Sequence, residues 1–243
     1  HCALIRGTTA DTRGNISCEE EAFHNDVLAI AQAARNSGGI VIAQVKNIVQ
    51  AGTLNPNAVR VPGILVDYVV QPDNPQHHWQ TYGEDYNPTY TGARRAADGE
   101  HPVTELNARK IIQRRAFFEL QKLENPVGNL GTGIPAGVGE VAREEGHKNF
   151  TLTIESGPIG GTPSGNRLSF GASSNPECII DQASQFDFYD GGGLDISFLG
   201  MAEVDVQGNV NVSRFGDRIS GVGGFVNISQ TAKQVVFMGT FTA

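Results

Sequence analysis

The sequence contains little cysteine, and the few cysteines are far apart. Cys2, Cys18 and Cys178 are the only three among 243 residues. An odd number at wide spacing forms neither a disulfide framework nor a CxxC site, and it is typical of a reducing compartment. We therefore expect a cytoplasmic protein.

Long apolar runs and an excess of positive charge are also missing. No apolar run reaches the roughly 18 residues that a membrane-spanning helix needs, and no secretory signal pattern is recognisable. Lys and Arg number 18 against 26 Asp and Glu, a net charge of −8, whereas nucleic-acid binders usually carry a basic face. The sequence predicts neither a membrane nor a nucleic-acid partner.

Several catalytic motifs are absent. The six histidines show no metal-ligand spacing, and no HExxH motif or cysteine pair accompanies them. We find no GxSxG elbow and no phosphate-binding Walker motif. The sequence therefore predicts no metal.

Glycine is abundant, at 30 residues, as expected of many tight turns or of backbone lying close to a ligand. Short apolar runs bounded by Gly, Pro or polar residues predict strands at 3–5, 39–45, 127–130, 150–154, 194–199 and 234–237. Helical spacing predicts helices at 19–36 and 105–123. In the second helix we expect Thr104 as the N-cap, with an apolar stripe that consists of Leu106, Ile111, Ile112, Phe118 and Leu120. This alternation indicates an α/β fold with a largely parallel sheet.

Residues 71–104 separate two such regions. This stretch is rich in proline and aromatic residues and poor in aliphatic ones. A connection of this length is uncommon unless it is a linker or a functional loop. We divide the chain into residues 1–70, a connection at 71–104, and residues 105–243.

An internal repeat relates the two regions. The segment ALIRGTTADTRGNI (3–16) aligns without gaps on SFLGMAEVDVQGNV (197–210), and residues 31–45 resemble 229–241. Both copies contain Asp-x-x-Gly-Asn, which an Asx-Gly turn explains locally, but the order of strand, turn and strand recurs as well. We interpret the chain as the back of one domain and the front of its sister, with the missing segments supplied by the full-length protein.

Glu155 is the first candidate for chemistry. The predicted strand 150–154 delivers this carboxylate into Ser156–Gly157 and then Gly160–Gly161. Open α/β sheets bind their ligands at the carboxyl ends of parallel strands. A solvated glutamate at a strand end is an equally good interpretation of this segment alone.

Two glycine clusters could present backbone N–H groups to a ligand. Gly131 and Gly133 lie where the chain leaves strand 127–130, before a helix predicted at 138–145. Gly223 and Gly224 form a second tight segment, which could direct N–H groups at a developing oxyanion. Either cluster can also be a purely structural turn.

Taken together, these motifs resemble those of family I coenzyme A transferases. The resemblance consists of NLGTGIP, an ESG segment after a strand, GGLDISFLGMAEVDVQGNVNV and GVGGF, in that order. With ALIRGTTADTRGN in the first half and HHWQTYGEDYNPTYTG between the halves, the chain is similar to the fused acetate/propionate enzymes. The resemblance implies two related open-sheet α/β domains of the sugar-phosphate-isomerase-like type, both incomplete here.

The resemblance also implies the chemistry. Glu155 occupies the position of the nucleophile, which passes through a covalent glutamyl-CoA thioester by ping-pong kinetics. Gly223 and Gly224 would hold the oxyanion, and Gly131 and Gly133 would lie against the acyl or CoA portion. The partners would be acyl-CoA and short acids such as acetate, propionate or acetoacetate. Coenzyme A is then a substrate, no cofactor is needed, and a homo-oligomer is expected.

Two alternatives remain open at this point. A sugar-phosphate-binding module of the same superfamily would share the glycine-rich turns without transfer chemistry. A non-catalytic remnant that acts by assembly would account for the incomplete domains.

Overall fold

The fold is α/β and is built around two open sheets, as the alternating pattern predicts. The structure is a computed structural model that describes residues 1–97 and 103–240. The first sheet lies within residues 2–70 and the second within 127–238. The domain boundaries chosen from the sequence remain an interpretation.

The first sheet has five strands in the order β4-β2-β1-β3-β5. They are β1 (Cys2–Asp11), β2 (Ile16–Ser17), β3 (Ile40–Val49), β4 (Val59–Val61) and β5 (Tyr68–Val70). Helix α1 (Val27–Asn36) connects β1 to the parallel strand β3. Its buried residues Val27, Ala31 and Ala34 pack on an aliphatic core from the sheet.

The second sheet has six strands in the order β11-β8-β7-β6-β12-β17. They are β6 (Val127–Leu130), β7 (Thr151–Thr153), β8 (Pro158–Ile159), β11 (Cys178–Ile179), β12 (Ile196–Gly200) and β17 (Gln234–Met238). Strands β7, β6, β12 and β17 are parallel. Their carboxyl ends therefore meet at one edge of the sheet.

Helices cover both faces of the second sheet. Helices α2 (Ala108–Leu120) and α3 (Gly137–Glu144) pack on one face. Helices α4 (Gln182–Asp190) and α5 (Phe225–Thr231) pack on the other through Tyr189 and Ile228. The remaining strands are short pairs, β9 (Thr162–Pro163) with β10 (Ser173–Ser174), β13 (Glu203–Val204) with β14 (Val210–Asn211), and β15 (Arg214–Phe215) with β16 (Arg218–Ile219). Short 3₁₀ turns lie at Pro56–Ala58, Gly63–Leu65, Pro75–His77 and Arg167–Ser169.

The predicted helix at 19–36 begins too early, because the structure has a helix only from Val27. Asn25 has a left-handed φ of 50°, and the Glu20 amide donates to the Thr8 hydroxyl at 2.9 Å. These contacts hold residues 19–26 in turns along the end of β1. Helical spacing within residues 19–36 could not indicate this contact with Thr8, which lies on a different element, β1.

The second predicted helix has a different cap and a different buried face. Asn107, rather than Thr104, caps α2, since its side chain accepts from the Lys110 amide. Of the predicted stripe, Leu120 is buried and Ile112 packs partly buried against the core, whereas Leu106, Ile111 and Phe118 are exposed. Ala116 and Phe117, which were not in the stripe, are buried. The buried Lys110 takes a core-facing position, because its ammonium pairs with Glu144 of α3 at 2.6 Å.

The connection lies against both halves of the chain. Gln80 of the connection donates to the Glu20 carbonyl of the first half at 2.7 Å. The Ala96 amide donates to the Asn175 side chain of the second half at 2.8 Å. Tyr90 is buried with Ala172. The connection is therefore packed against both halves of the chain up to residue 97. Residues 98–102 of the predicted connection at 71–104 lie outside the described residues.

The structure supports the internal repeat through strand register. Thr9 and Ala10 pair with Ser17 and Ile16 in the first half. Glu203 and Val204 pair with Asn211 and Val210 in the second, at the aligned positions. Both strand pairs are followed by a helix and a parallel strand, β3 or β17. Residue 241, at the end of the aligned segment, lies outside the described residues.

Both copies of the turn are held by the same carboxylate network. Asp11 accepts from the Arg13 and Asn15 amides and from the Asn15 side chain. Asp205 makes the equivalent three bonds to Gln207 and Asn209. The shared Asp-x-x-Gly-Asn motif thus forms the same hydrogen-bonded turn in both copies.

Replacing Lys110 with Met should destabilise the protein by about 3 kcal/mol, because Glu144 would lose its ammonium partner in a largely buried position. The double variant Lys110→Met/Glu144→Leu should recover much of this loss, since no unpaired charge remains. Urea unfolding of the full-length protein measures both. If the single and double variants were equally stable, Lys110 would not stabilise the protein by compensating the charge of Glu144.

Candidate active site

Glu155 lies at the tip of a tight turn that follows β7. The turn is closed by the Gly157 amide, which donates to the Ile154 carbonyl at 2.9 Å. Gly157 has a φ of 120°, and a Cβ on it would lie 1.9 Å from the Ile180 carbonyl oxygen. Only glycine fits there, and this constraint sets the direction in which the chain carries Glu155.

Ser156 anchors the same turn from its other side. Its hydroxyl donates to the Gly171 carbonyl at 2.6 Å. The turn is thus attached to the loop at 164–172 as well as to the sheet. Ser156 and Gly157, the two residues that follow Glu155, are therefore both held by contacts outside the turn.

A cleft of about 490 Å³ contains Glu155 at the carboxyl edge of the second sheet. Its lining includes Gly131, Gly223 and Gly224, so three of the four glycines predicted from the sequence share the cleft with Glu155. Gly133 is not part of the lining, and its proposed role stays a prediction. Phe170, Met201, Phe215 and Phe225 supply apolar walls. Such a cleft suits a ligand with an apolar portion and one reactive polar group.

The glycines of the cleft differ in what their backbone can offer. The Gly131 amide already donates to the Phe198 carbonyl at 2.8 Å. Within residues 1–97 and 103–240, no hydrogen bond from the Gly223 or Gly224 amide is found. A Cβ on Gly224 would lie 2.8 Å from the Phe186 ring, so a side chain here would press on that ring. Gly223 and Gly224 are therefore the better oxyanion candidates.

Burial raises the pKa of Glu155 above its ordinary value of 4.5, and a hydrogen bond from Asn129 opposes part of that rise. The carboxylate form is disfavoured because the low-dielectric surroundings solvate its charge poorly. A carboxylate that is incompletely solvated is a stronger base and nucleophile. Perturbed carboxyl groups in clefts are common at catalytic sites.

A row of buried polar side chains lies beneath Glu155. Thr153, Asn129 and Ser197 stand side by side on β7, β6 and β12. Tyr189 of α4 donates to Thr153 Oγ1 at 2.8 Å and accepts from Gln185 at 2.8 Å. The sequence analysis missed this row, although Asn129 lies within its NLGTGIP motif.

A second, larger cavity of about 860 Å³ lies between the connection and the first sheet. Trp79 and Tyr82 of the connection line it, together with Arg6. Phe170 lines this cavity and also the cleft of Glu155. The two spaces are therefore separated by the loop that carries Phe170.

That loop is held by the connection. Ser169 is fully buried, its hydroxyl lies 2.9 Å from the Thr81 hydroxyl, and it donates to Glu84 at 3.0 Å. Residues 81–84 thus position the wall of a cleft whose nucleophile candidate is over 70 positions away in the chain. The composition of the connection predicted a linker or a functional loop, without indicating which part of the chain it would contact.

In the part of the chain that the structure describes, no group of three or more His, Cys, Asp or Glu side chains could hold a metal ion. Among these same ranges, no helix combines the length and the apolar character needed to cross a bilayer.

Comparison with known proteins places the chain beside the coenzyme A transferases. Residues 2–72 match the family model described as coenzyme A transferase. A caffeate CoA-transferase from Acetobacterium woodii is 47% identical over 99% of this chain and 47% of its own length. The acetate CoA-transferase YdiF of Escherichia coli K12 is 48% identical over 99% of this chain and 45% of its own.

A solved structure agrees with these sequence matches. The acyl-CoA transferase YdiF from Escherichia coli O157:H7, in a thioester complex with CoA, aligns with 99% of this chain and 46% of its own. The TM-score is 0.85 and the sequence identity 46%. The resemblance inferred from the motifs is confirmed, and the chain spans about half the length of the curated relatives it matches.

Replacing Glu155 with Gln should stabilise the protein at pH 7. A raised folded-state pKa means that the native state holds its proton more tightly than the unfolded state. The associated stability is complete below the unfolded pKa and is lost as the pH rises through the folded pKa. Gln mimics the neutral carboxyl, so its advantage should be present at pH 7 and vanish near pH 4.

Urea unfolding of both proteins at the two pH values measures this difference. Ser156→Ala serves as the control, since it alters the same turn without removing a titrating group. A Gln variant that is no more stable at pH 7 than at pH 4, relative to the unmodified protein, would contradict the burial of a charged Glu155.

Proposed function

Since this chain resembles the coenzyme A transferases over nearly its whole length, we propose that its protein moves coenzyme A between an acyl-CoA and a short carboxylic acid. The observation that carries the proposal is the position of Glu155. It is a partly buried carboxylate whose pKa is raised by desolvation, at the carboxyl edge of a parallel sheet and in a cleft with free backbone amides.

The reaction proceeds by two exchanges at Glu155. A carboxylate oxygen attacks the thioester carbonyl, the C–S bond breaks, and CoA thiolate leaves an acyl-glutamyl anhydride. The thiolate then attacks the glutamyl carbonyl, and the first acid departs as its carboxylate. The product is a glutamyl-CoA thioester, and a second acid reverses both steps. Proton and electron counts balance without a redox partner.

The raised pKa of Glu155 suits this chemistry. The glutamyl carboxyl must resemble the substrate acids closely enough that its anhydride and thioester form without a steep rise in energy. Burial makes the carboxylate a better nucleophile than a solvated one. The cost is a lower fraction of ionised enzyme at acid pH.

Backbone amides would stabilise each tetrahedral oxyanion. Gly223 and Gly224 line the cleft with unused N–H groups, which is the arrangement that stabilises developing negative charge. Gly131, whose amide is used in the sheet, would lie against the acyl or CoA portion. Gly133 would contribute to the CoA side from outside the cleft lining.

The acid is proposed to be of the acetate, propionate or acetoacetate class. The relatives include an acetate CoA-transferase and a caffeate CoA-transferase, whose acids differ greatly in size. No cofactor would be required beyond coenzyme A as a substrate. We further propose a cytoplasmic homo-oligomer in which the full-length protein supplies the remainder of both domains.

Replacing Glu155 with Gln should abolish transfer, because the amide cannot form the anhydride. After incubation with acetyl-CoA and borohydride reduction, the unmodified full-length protein should carry a change on the peptide that contains Glu155. The Gln variant should carry none. A clean Glu155 peptide in active, folded protein would overturn the assignment, and tight binding of a sugar phosphate without CoA affinity would favour the alternative module.

Replacing Gly224 with Ala should lower kcat by about a hundredfold, since displacement of the oxyanion amide by a fraction of an ångström to 1 Å has effects of that size. The new methyl group would press on the Phe186 ring. The double variant Gly224→Ala/Phe186→Leu should regain part of the activity by making room. Phe186→Leu alone is the control. Failure of the double variant to recover any rate would argue against this contact as the cause.

A further inference from the structure

Phe170 lies between two spaces of different size. It lines the cleft of about 490 Å³ that contains Glu155, and it also lines the larger cavity of about 860 Å³ beside the connection. Of the described residues that line either space, Phe170 is the one that lines both. A passage from the cleft to the larger cavity would therefore run past this side chain.

The ring of Phe170 is carried by a segment that is anchored on both sides. Ser169 is fully buried and donates to Glu84 of the connection at 3.0 Å. On the other side, the Gly171 carbonyl accepts from the Ser156 hydroxyl at 2.6 Å, in the turn that carries the nucleophile candidate. The position of Phe170 is thus set by direct contacts with that turn and with the connection.

The larger cavity contains apolar surface that the described residues leave uncovered. Trp79, Leu168 and Phe170 line it and have exposed fractions of 47%, 59% and 53%. Arg6 and Glu21 also line it, but they pair with each other at 2.8 Å. Large apolar side chains that stay exposed side by side mark binding surfaces. The cavity therefore suits the apolar or planar part of a ligand.

The internal repeat places the two spaces at equivalent positions. Extending the alignment of 31–45 on 229–241 toward the amino end pairs Asn25 with Gly223, and both have a left-handed φ, of 50° and 55°. Asn25 lines the larger cavity and Gly223 lines the cleft. Each space thus lies at the segment that precedes a helix, α1 or α5. Because this position holds the candidate active site in the second copy, its counterpart in the first copy is well placed to receive part of a ligand.

We propose that Phe170 sets the upper size of the acid that reaches Glu155, by closing the cleft toward the larger cavity. The inference deepens the proposed function and rests on it. A short acid is accommodated by the cleft alone, whereas an acid with a bulky apolar end needs the space behind Phe170. Apolar pockets discriminate between acids of different length through such contacts.

The test uses the full-length protein and two acceptor acids that differ only at one end, propionate and 3-phenylpropanoate. Phe170→Ala removes the ring. Phe170→Leu keeps a shorter apolar side chain, so the test does not depend on the Ala variant folding. Phe215→Ala is the matched control, because Phe215 is also aromatic and 48% exposed but lines the cleft without lining the larger cavity.

The first readout is the transfer of CoA from acetyl-CoA to each acid. Phe170→Ala should raise the ratio of kcat/KM for 3-phenylpropanoate to kcat/KM for propionate at least about tenfold, since groups of this size change apolar binding by that much or more. Phe170→Leu should raise the ratio by less. Phe215→Ala should give a much smaller rise, because it widens the cleft without opening the larger cavity.

The second readout needs no catalysis. Trp79 is the single tryptophan among these 243 residues, and it lines the larger cavity. In Glu155→Gln/Phe170→Ala, 3-phenylpropanoate should shift the Trp79 emission to shorter wavelength, because the phenyl group replaces water at the half-exposed indole. Glu155→Gln alone should show no such shift. A parallel measurement with Trp79→Phe isolates the signal of this side chain.

Several outcomes would overturn the proposal. They are an unchanged kcat/KM ratio in folded Phe170→Ala and Phe170→Leu, an equal rise in Phe215→Ala, or a Trp79 emission that responds to 3-phenylpropanoate equally with and without the Phe170 ring. Transfer to neither acid by the unmodified protein would instead contradict the proposed function. The Trp79 emission would then still decide whether Phe170 closes the larger cavity.

Discussion

The desolvation of one carboxylate at the carboxyl edge of a parallel sheet is the constraint on which the site depends. Glu155 has its pKa raised by desolvation and is kept in place by a turn that requires glycine at position 157. Removing the charge of a carboxylate from water without compensating polarity costs free energy. Among the described residues, the Gly223 and Gly224 amides in the same cleft have no hydrogen-bond partner, so polar backbone groups are available beside Glu155.

Side chains and backbone contribute differently to this part of the second sheet. Buried side chains of the strands and α4 form a hydrogen-bonded group of Asn129, Thr153 and Tyr189, whereas the segment before α5 carries the Gly223 and Gly224 amides, which are unbonded among the described residues. The position of these amides depends on close packing such as that of Gly224 on Phe186.

The connection helps to form the wall of the cleft that contains Glu155. Thr81 and Glu84 hold Ser169, and the neighbouring Phe170 forms a wall of both cavities. Residues of the connection thus shape a cleft whose sheet lies elsewhere in the chain.

The internal repeat shows how one local motif can serve two environments. Asp11 is almost fully buried and Asp205 is exposed, yet both close the same turn with the same three hydrogen bonds. The turn is encoded locally by Asp, Gly and Asn. What surrounds each copy is decided by the sheet in which it lies.

The sequence by itself determined the α/β class, the positions of the six principal strands, the repeat and the candidate nucleophile. These depend on short-range patterns of apolar residues, turn glycines and motif order. The predicted ends of β1 and β3 were too early, since these strands continue to Asp11 and Val49. The early start assigned to α1 was wrong, and the stripe assigned to α2 is buried only at Ile112 and Leu120, because contacts with β1 and a buried ion pair at Lys110 outweigh local helical spacing.

Only the tertiary structure decided that Gly131, Gly223 and Gly224 share a cleft with Glu155 while Gly133 is not in its lining, and that Asn129, Thr153 and Tyr189 are hydrogen-bonded to one another. These residues come from different strands and helices, and their proximity depends on sheet order and register. Chain sequence specifies each element locally, but which side chains share a buried space is fixed only when parallel strands align their carboxyl ends.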